Sequence, residues 1–231
     1  MVTKALIVPA AGSGSRLNKE ISKPFITLSG QAVLAHTIRR FLPLNGLRQI
    51  LVATSQEYLD KTRLILEEVV PQNTDISTTC VIGGEERQHS IHKALKEIDM
   101  VDLVMVHDAV RPFVKIEHIQ KCCRASTKAG GAVLGVPVKD TIKRVDDNRY
   151  IQATPSRKYL WQTQTPQIFR RELLIEAYEK ASRDNFLGTD DASLVERLGA
   201  RVKMVEGDRS NFKITYPLDL RLAQLLIKQE N

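Results

Sequence analysis

The stretch VPAAGSGSR, residues 8–16, has the composition of a loop that binds phosphate. Its small residues let backbone N–H groups approach an anion closely, and Arg16 supplies a planar guanidinium with several donors. A dinucleotide-binding loop would need a third glycine where Leu17 stands, and a P-loop would need Gly-Lys-Ser/Thr, which does not follow. The stretch is therefore predicted to hold a phosphate in another way, with a plain flexible turn as the alternative.

The segment VHDAVRP, residues 106–112, holds a second group of candidate residues. Asp108 is suited to bind Mg²⁺ through one direct bond and waters, and Arg111 to bind a phosphate. The alternative is a buried Asp–Arg ion pair with a purely structural role. His107 is more typical of a structural histidine than of a catalytic one.

Further cations and small residues stand elsewhere along the chain. Lys23, in SKPF, lies seven residues after Arg16, although taken alone it is more typical of a solvated lysine. Lys213 interrupts the apolar stretch NFKIT, which is predicted to be a strand with an anion nearby. In GGEERQHS, residues 83–90, two glycines permit close backbone contact, and Ser90 is predicted to open a helix, either as a cap or as a ligand contact.

The candidate residues favour one kind of chemistry. They include no Ser-His-Asp set, no reactive cysteine environment and no histidine pair, so covalent catalysis is not indicated. They are rich in cations, with one carboxylate suited to a metal. This combination is typical of phosphoryl or nucleotidyl transfer, in which the substrate carries the nucleophile and the protein contributes positioning and charge stabilisation.

The elements that must position these residues alternate between strand and helix. Short, β-branched apolar runs are typical of strands buried on both faces, and they occur at 5–8, 49–53, 78–82, 102–106 and 131–136. Segments with helical spacing lie between them at 33–41, 58–70, 88–98 and 116–128. The pattern predicts an α/β fold with a doubly wound, mainly parallel, Rossmann-like sheet, whose carboxyl edge gathers the candidate residues.

The alternation breaks after Pro137. Residues 138–162 show partial alternation around an Asp-Asp-Asn turn, which predicts a β-hairpin arm protruding from a single domain of residues 1–231. The hairpin is either a solvated surface feature or an arm that packs on a partner subunit. Beyond it, helices are expected at 171–181, at 190–198 with Thr189 as the cap, and at 218–228, with a strand at 201–205.

The composition argues against several classes of protein. With 42% hydrophobic and 26% charged residues, the 231-residue chain resembles an ordinary globular protein. A net charge of +7 suits an anionic partner, but the 34 Lys and Arg residues are scattered, which favours small phosphates over nucleic acid. No apolar run of 18 residues and no zinc-type cysteine spacing occurs, which predicts a cytosolic protein without a membrane partner.

Eight motifs, taken in order, resemble those of the 2-C-methyl-D-erythritol 4-phosphate cytidylyltransferase family over almost the whole chain. They are PAAGSGSR, SKPF, GGEERQHS, VHDAVRP, PVKDTIKRV, LWQTQTPQIF, TDDAS and NFKIT. The resemblance implies that CTP lies over the glycine-rich loop with Mg²⁺ at Asp108, and that methylerythritol phosphate attacks the α-phosphorus while pyrophosphate leaves. A relative acting on ribitol 5-phosphate is the alternative.

The resemblance also implies roles for individual residues. Arg16 and Lys23 would stabilise charge on the α-phosphate and the leaving group, while Lys213 and Arg157 would position the attacking phosphate. The further contacts that it implies with CTP or with the second substrate are Ala10, Ala11, Gly12, Gly14, Gly84, Glu85, Arg87, Ser90, Asp108, Ala109, Arg111, Thr141, Thr165 and Thr189.

In this family the arm exchanges across a homodimer, which implies that Arg157 and Thr141 serve the neighbour's site. Cytosine would be read by the backbone near Ala11 and Gly84 and by two side chains, Glu85 and Ser90, and such a site rejects other bases because a wrong base edge leaves polar groups unpaired. The expected location is the bacterial cytoplasm.

Overall fold

The computed structural model describes residues 1–12 and 21–230. Its strands are β1 (Lys4–Pro9), β2 (Thr27–Leu28), β3 (Gln31–Ala32), β4 (Leu47–Thr54), β5 (Ser77–Ile82), β6 (Leu103–Val106), β7 (Gly131–Pro137), β8 (Arg144–Val145), β9 (Ile151–Ala153), β10 (Trp161–Arg170) and β11 (Val202–Glu206). Its helices are α1 (Val33–Arg39), α2 (Leu59–Val69), α3 (Arg87–Lys96), α4 (Ile116–Ala129), α5 (Arg171–Arg183), α6 (Asp191–Glu196) and α7 (Pro217–Glu230).

The central sheet has seven strands in the order β11-β7-β10-β6-β1-β4-β5. β1 pairs in parallel with β4 and β6, β4 with β5, and β7 with β11. β10 alone runs antiparallel, and it lies between β6 and β7. The predicted mainly parallel α/β sheet is therefore confirmed.

The sequence pattern does not reveal β10. Its first half, WQTQT, is polar, and Pro166 lacks the N–H that a central strand normally donates. The structure accommodates the proline because the pairing with β7 shifts register between Thr163 and Gln167, so the ladder is interrupted at that point.

Both faces of the sheet are covered, which explains the uninterrupted apolar runs. Along β1, Leu6 and Val8 pack against one cluster with α1, α2 and α4, and Ala5 and Ile7 pack against the other with α3, α5 and α6. Successive side chains of a strand point to opposite faces, so a strand covered on both sides must be apolar at every position. Within the described residues, no helix is long and apolar enough to span a membrane.

A β-hairpin is present where the arm is predicted. β8 and β9 pair antiparallel as a separate two-stranded sheet. Its turn is held by Asp146, whose Oδ1 accepts hydrogen bonds from the backbone N–H groups of Asn148 (3.1 Å) and Tyr150 (2.9 Å). Val145, Tyr150 and Ile151 on this arm are exposed. The division of the chain into one domain with an arm stays a prediction.

Three local predictions are wrong. α6 is capped by Asp190, not Thr189, because the Asp190 carboxylate accepts the Ser193 N–H (2.9 Å) in a capping box. α3 begins at Arg87, so Ser90 lies inside the helix. Residues 211–215 form no strand; their apolar character reflects burial of Ile214, whose N–H donates to the Val110 carbonyl (2.9 Å).

Candidate functional site

A pocket of about 400 Å³ opens at the carboxyl edge of the sheet, beyond β1, β5 and β6. This is where an open α/β sheet binds ligands, because the ends of its parallel strands and the loops that follow them meet there. Among the residues that line it are Ala10, Ala11, Gly12, Lys23, Gly84, Glu85, Arg87, Ser90, Asp108, Ala109 and Lys213.

The loops after β1 and β5 present bare backbone to this pocket. A Cβ added at Gly12 would meet no atom of residues 1–12 and 21–230 within 4 Å. A Cβ at Gly83 would lie 2.5 Å from the Ala11 Cβ, so only glycine lets the two loops touch. The glycines of GGEERQHS therefore bring one loop against the other and leave backbone accessible to a ligand.

Ser90 holds the β5 loop in shape. Its hydroxyl accepts a hydrogen bond from the Gly84 N–H (3.0 Å) and donates to the Glu86 carbonyl (3.1 Å). The hydroxyl is buried, whereas Glu85 is exposed at the pocket. Ser90 thus fixes the direction of the Gly84 peptide, which lines the pocket.

Lys23 is a buried residue of the pocket and not a solvated lysine. It lies on a short 3-10 turn, Lys23–Phe25, and its ammonium Nζ donates to the Thr215 carbonyl (3.0 Å). The preceding Ser22 ties this turn to the first loop through its hydroxyl, which donates to the Gly12 carbonyl (3.0 Å). Gly14 and Arg16 lie outside the described residues.

Asp108 forms the centre of a charged cluster. Its Oδ1 lies 3.2 Å from the Arg87 Nε, and its Oδ2 lies 3.2 Å from both the Arg111 Nε and the Lys213 Nζ. Burial raises the pKa of Asp108, but the charges of Arg87, Lys213 and Arg111 outweigh burial and hold the pKa well below its usual range. Asp108 is therefore ionised at physiological pH, and the ion pair with Arg111 is part of a larger cluster that borders the pocket.

Arg87 is also bound by a second carboxylate, that of Asp191. Asp191, fully buried at the start of α6, receives the Arg87 Nη1 on Oδ1 (3.1 Å) and Nη2 on Oδ2 (2.8 Å). The Tyr178 hydroxyl of α5 donates to the same Oδ1 at 2.5 Å. Burial and the Asp191 charge raise the pKa of Tyr178 well above its usual value, so the phenol remains the donor.

Thr165 and His107 fix the backbone of Asp108. The Thr165 Oγ1 accepts the Asp108 N–H (3.0 Å). The Arg111 carbonyl can only accept, so His107 is assigned as the Nε2–H tautomer, which donates to it (3.0 Å). The His107 Nδ1 of the neutral ring then accepts the Thr165 hydroxyl proton (3.0 Å). Burial lowers the pKa of His107 to about 4, so the ring is neutral and structural, as the sequence indicates.

Three predicted residues are brought neither to the pocket nor into contact with Asp108 within one chain, whereas Arg111 and Thr165 contact Asp108 without lining the pocket. Arg157 and Thr141 are exposed on the arm, where the Arg157 Nη1 donates to the Lys139 carbonyl (2.6 Å). Thr189 is exposed in the turn before α6. None of the three lines the pocket around Asp108.

Sequence reasoning missed how two of the motifs meet. Gln167 of TQTPQ donates from Nε2 to the Asp190 carboxylate (2.8 Å) and accepts the Ala192 N–H on Oε1 (2.8 Å), so β10 fixes the start of α6. At the start of a predicted helix, Asp191 is typical of an acid that complements the helix dipole. The sequence does contain a signal for a second role of Asp191: Asp190 and Asp191 stand side by side, although one aspartate is enough to cap the helix.

Bare peptide groups next to a cluster of cations suit the polyphosphate of a nucleotide, and the fold and the site together define an α/β nucleotidyltransferase. Within that class the chain belongs to the 2-C-methyl-D-erythritol 4-phosphate cytidylyltransferase (IspD) family, whose sequence model matches residues 4–229. The resemblance seen in the motifs is thereby confirmed.

Similar proteins cover nearly the same length. A relative from Bacillus velezensis named 2-C-methyl-D-erythritol 4-phosphate cytidylyltransferase is 44% identical over 227 residues, 98% of this chain and 96% of its own. One of the same name from Caldanaerobacter subterraneus is 41% identical over 224 residues, 96% and 98% of the two chains. The crystal structure of 4-diphosphocytidyl-2C-methyl-D-erythritol synthase from Anaerococcus prevotii is similar with a TM-score of 0.87 and 32% identity, covering 98% and 96%.

Proposed function

We propose that this chain transfers a cytidylyl group from CTP to 2-C-methyl-D-erythritol 4-phosphate, giving 4-diphosphocytidyl-2-C-methyl-D-erythritol and pyrophosphate for isoprenoid biosynthesis. The family match over residues 4–229 supports this activity. The observation that carries it is the pocket that Lys23, Lys213 and Asp108 line together with Gly12. We place the reaction in the bacterial cytoplasm, without a nucleic-acid or membrane partner.

The chemistry needs no nucleophile from the protein. A phosphate oxygen of the second substrate forms a bond to the α-phosphorus of CTP, and the bond from that phosphorus to the pyrophosphate oxygen breaks. Negative charge grows on the α-phosphate and the leaving group, and Arg16 and the Lys23 ammonium stabilise it, while Lys213 positions the attacking phosphate. Arg87, Arg111 and Lys213 share the carboxylate of Asp108, and Arg87 is also paired with Asp191, so three cations face two carboxylates and one positive charge remains available to the phosphates.

The cytosine and ribose are proposed to contact the loops after β1, β5 and β6. Ala10, Ala11 and Ala109 have no bulky side chain in the pocket and offer backbone groups at their strand ends. Gly84 presents a peptide whose direction is fixed by Ser90. Arg16 and Gly14 keep their proposed role at the triphosphate.

A divalent ion, Mg²⁺, is proposed to bind together with CTP and to neutralise part of the phosphate charge. Asp108 is the residue proposed to hold it. In the described part of the chain, no three metal-binding side chains cluster, and this donor set fits an ion held mainly by phosphate oxygens and waters. Both Asp108 oxygens are engaged by cations, so binding requires one of these contacts to lengthen.

We also propose that the active form is a homodimer. Arg157 and Thr141 lie on the arm, away from their own pocket, and the arm carries the exposed apolar side chains Val145, Tyr150 and Ile151. A two-stranded hairpin is marginally stable unless it packs on something. Packing on a second copy would bury these residues and carry Arg157 and Thr141 to the neighbour's pocket, where Arg111, Lys213, Thr165 and Thr189 are proposed to help bind the second substrate.

One experiment separates the proposed substrate from its alternative. The purified protein is incubated with CTP and Mg²⁺, and with either methylerythritol phosphate or ribitol 5-phosphate, while pyrophosphate release is measured and the product is weighed by mass spectrometry. We expect turnover with methylerythritol phosphate. Turnover with ribitol 5-phosphate alone would overturn the substrate, and no turnover with either would overturn the activity.

A further inference from the structure

A short segment before α7, residues 213–215, carries one lysine of the pocket and contacts the other. The Lys213 Nζ lies 3.2 Å from the Asp108 Oδ2. Two residues later, the Thr215 carbonyl accepts a hydrogen bond from the Lys23 Nζ at 3.0 Å. Residues 213–215 thus bring Lys23 to the segment that carries Lys213, which is distant from it in the sequence.

This segment is anchored at both ends. On one side the Ile214 N–H donates to the Val110 carbonyl at 2.9 Å, next to Asp108. On the other side the Asp219 Oδ2 accepts the N–H groups of Thr215 (2.8 Å) and Tyr216 (2.7 Å). Asp219 is the third residue of α7, which begins at Pro217, and a carboxylate at this position commonly reaches back to the N–H groups before a helix.

The Thr215 peptide thus joins Asp219 to Lys23. Its N–H is held by the carboxylate, and its carbonyl receives one of the three protons of the Lys23 ammonium. The flexible four-carbon stem of lysine does not by itself fix the position of the charge. A fixed carbonyl that accepts one of its protons restricts where the charge can lie.

We propose that Asp219 is a positioning residue for the transfer reaction, acting through the Thr215 carbonyl on the Lys23 ammonium. This inference rests on the proposed function, in which Lys23 stabilises the charge on the phosphates. Asp219 itself touches no reacting atom. The competing explanation is that Asp219 only stabilises the start of α7, in which case its loss lowers stability and leaves turnover unchanged.

The first test compares three variants. Asp219→Ala removes the acceptor, and we expect kcat to fall about tenfold, because small displacements of a catalytic group are costly. Asp219→Asn keeps an acceptor oxygen and should recover most of the loss. Glu117→Ala is the matched control, because Glu117 is an exposed acid in the first turn of α4, away from the pocket, and its loss should leave kcat unchanged.

Circular dichroism melting accompanies each kinetic measurement. A lower melting temperature of Asp219→Ala with unchanged kcat would overturn the proposal. If Asp219→Ala does not fold, Asp219→Ser takes its place, because serine is tolerated in a first helical turn but its shorter side chain cannot hold both N–H groups.

A double-mutant cycle identifies the route of the effect. If Asp219 acts through Lys23, Asp219→Ala should change the single-turnover rate of the Lys23→Ala enzyme by less than about twofold, because effects that share one interaction are not additive. An equal loss in both backgrounds would overturn the proposal. An inactive wild type would instead contradict the proposed function, and an undiminished Lys23→Ala enzyme would contradict the role of Lys23.

Discussion

Asp191 holds Arg87 through both carboxylate oxygens, with Nη1 at 3.1 Å from Oδ1 and Nη2 at 2.8 Å from Oδ2. The third donor of the same guanidinium, Nε, contacts Asp108 at 3.2 Å. Asp191 is fully buried, so the side of Arg87 that faces away from the pocket is paired with a carboxylate that solvent does not reach. The arrangement joins α3, α5 and α6 to the carboxyl edge of the sheet.

Asp191→Asn should therefore destabilise the protein strongly. The substitution removes the bidentate charged partner of Arg87 and leaves it only the contact of its Nε with Asp108, and breaking a buried ion pair costs at most about 3–5 kcal/mol. Urea denaturation measures the free energy of unfolding. The control is Asp184→Asn, which breaks exposed contacts with Arg197 (2.7 Å) and Lys180 (3.1 Å) and should change stability little. Equal losses in the two variants would show that the Asp191 pair contributes no more than a surface pair.

His107 should make stability depend on pH. Burial lowers its pKa to about 4 in the folded chain, whereas the unfolded chain binds the proton below about pH 6.5. Above about pH 6.5 the ring is neutral in both states, so His107 does not reduce the free energy of unfolding. As the pH falls from there towards the pKa of about 4 in the folded chain, protonation of the unfolded chain lowers that free energy. His107→Gln cannot titrate, so its free energy of unfolding should fall less than that of the wild type between about pH 7.5 and about pH 5. Equal slopes would contradict the buried, neutral assignment.

Lys23→Ala and Arg16→Ala should each lower turnover by orders of magnitude with little loss of folding. Both cations are proposed to stabilise charge that develops in the transition state, so the loss should appear in kcat more than in KM. Steady-state pyrophosphate release and thermal melting are the measurements. Lys96→Ala, on the exposed side of α3, is the matched control. Near-normal rates in both variants would remove these residues from catalysis.

Mixed dimers test whether the arm serves the neighbouring site. The Lys23→Ala and Arg157→Ala chains should each be nearly inactive alone. When they are co-refolded, a heterodimer contains one site with an intact Lys23 and an intact Arg157 from the other chain, so activity should return to about a quarter of the wild-type value. Activity that stays at the level of the separate variants would indicate that Arg157 acts within its own chain.

The fold was largely predictable because the parallel strands are covered on both faces. Burial of both Leu6 and Ile7 forces consecutive apolar residues, and this requirement is visible in the sequence. β10 was not predictable, because Pro166 and the polar residues before it are untypical of a central strand. Only the structure shows that the pairing with β7 is interrupted at the proline.

The site was predictable only in part. The topology of a parallel sheet is enough to bring Asp108 and the loop after β1 to one edge. Contacts made between helices leave no local signal: residues 87, 178 and 191 meet because α3, α5 and α6 pack on the same face of the sheet. The pairing of Lys23 with the Thr215 carbonyl likewise joins residues separated by 192 positions.

The pairing of β7 with β10 has a consequence for how this enzyme can diverge among lineages. The two strands pair from Gly131 opposite Phe169 to Pro137 opposite Trp161, and the arm continues from that end. Residues inserted or deleted at the tip of the arm leave the pairing within the sheet unchanged, because the register is set by the buried part of the ladder. The tip of the arm can thus change in length during evolution while the pocket at the carboxyl edge of the sheet keeps its geometry.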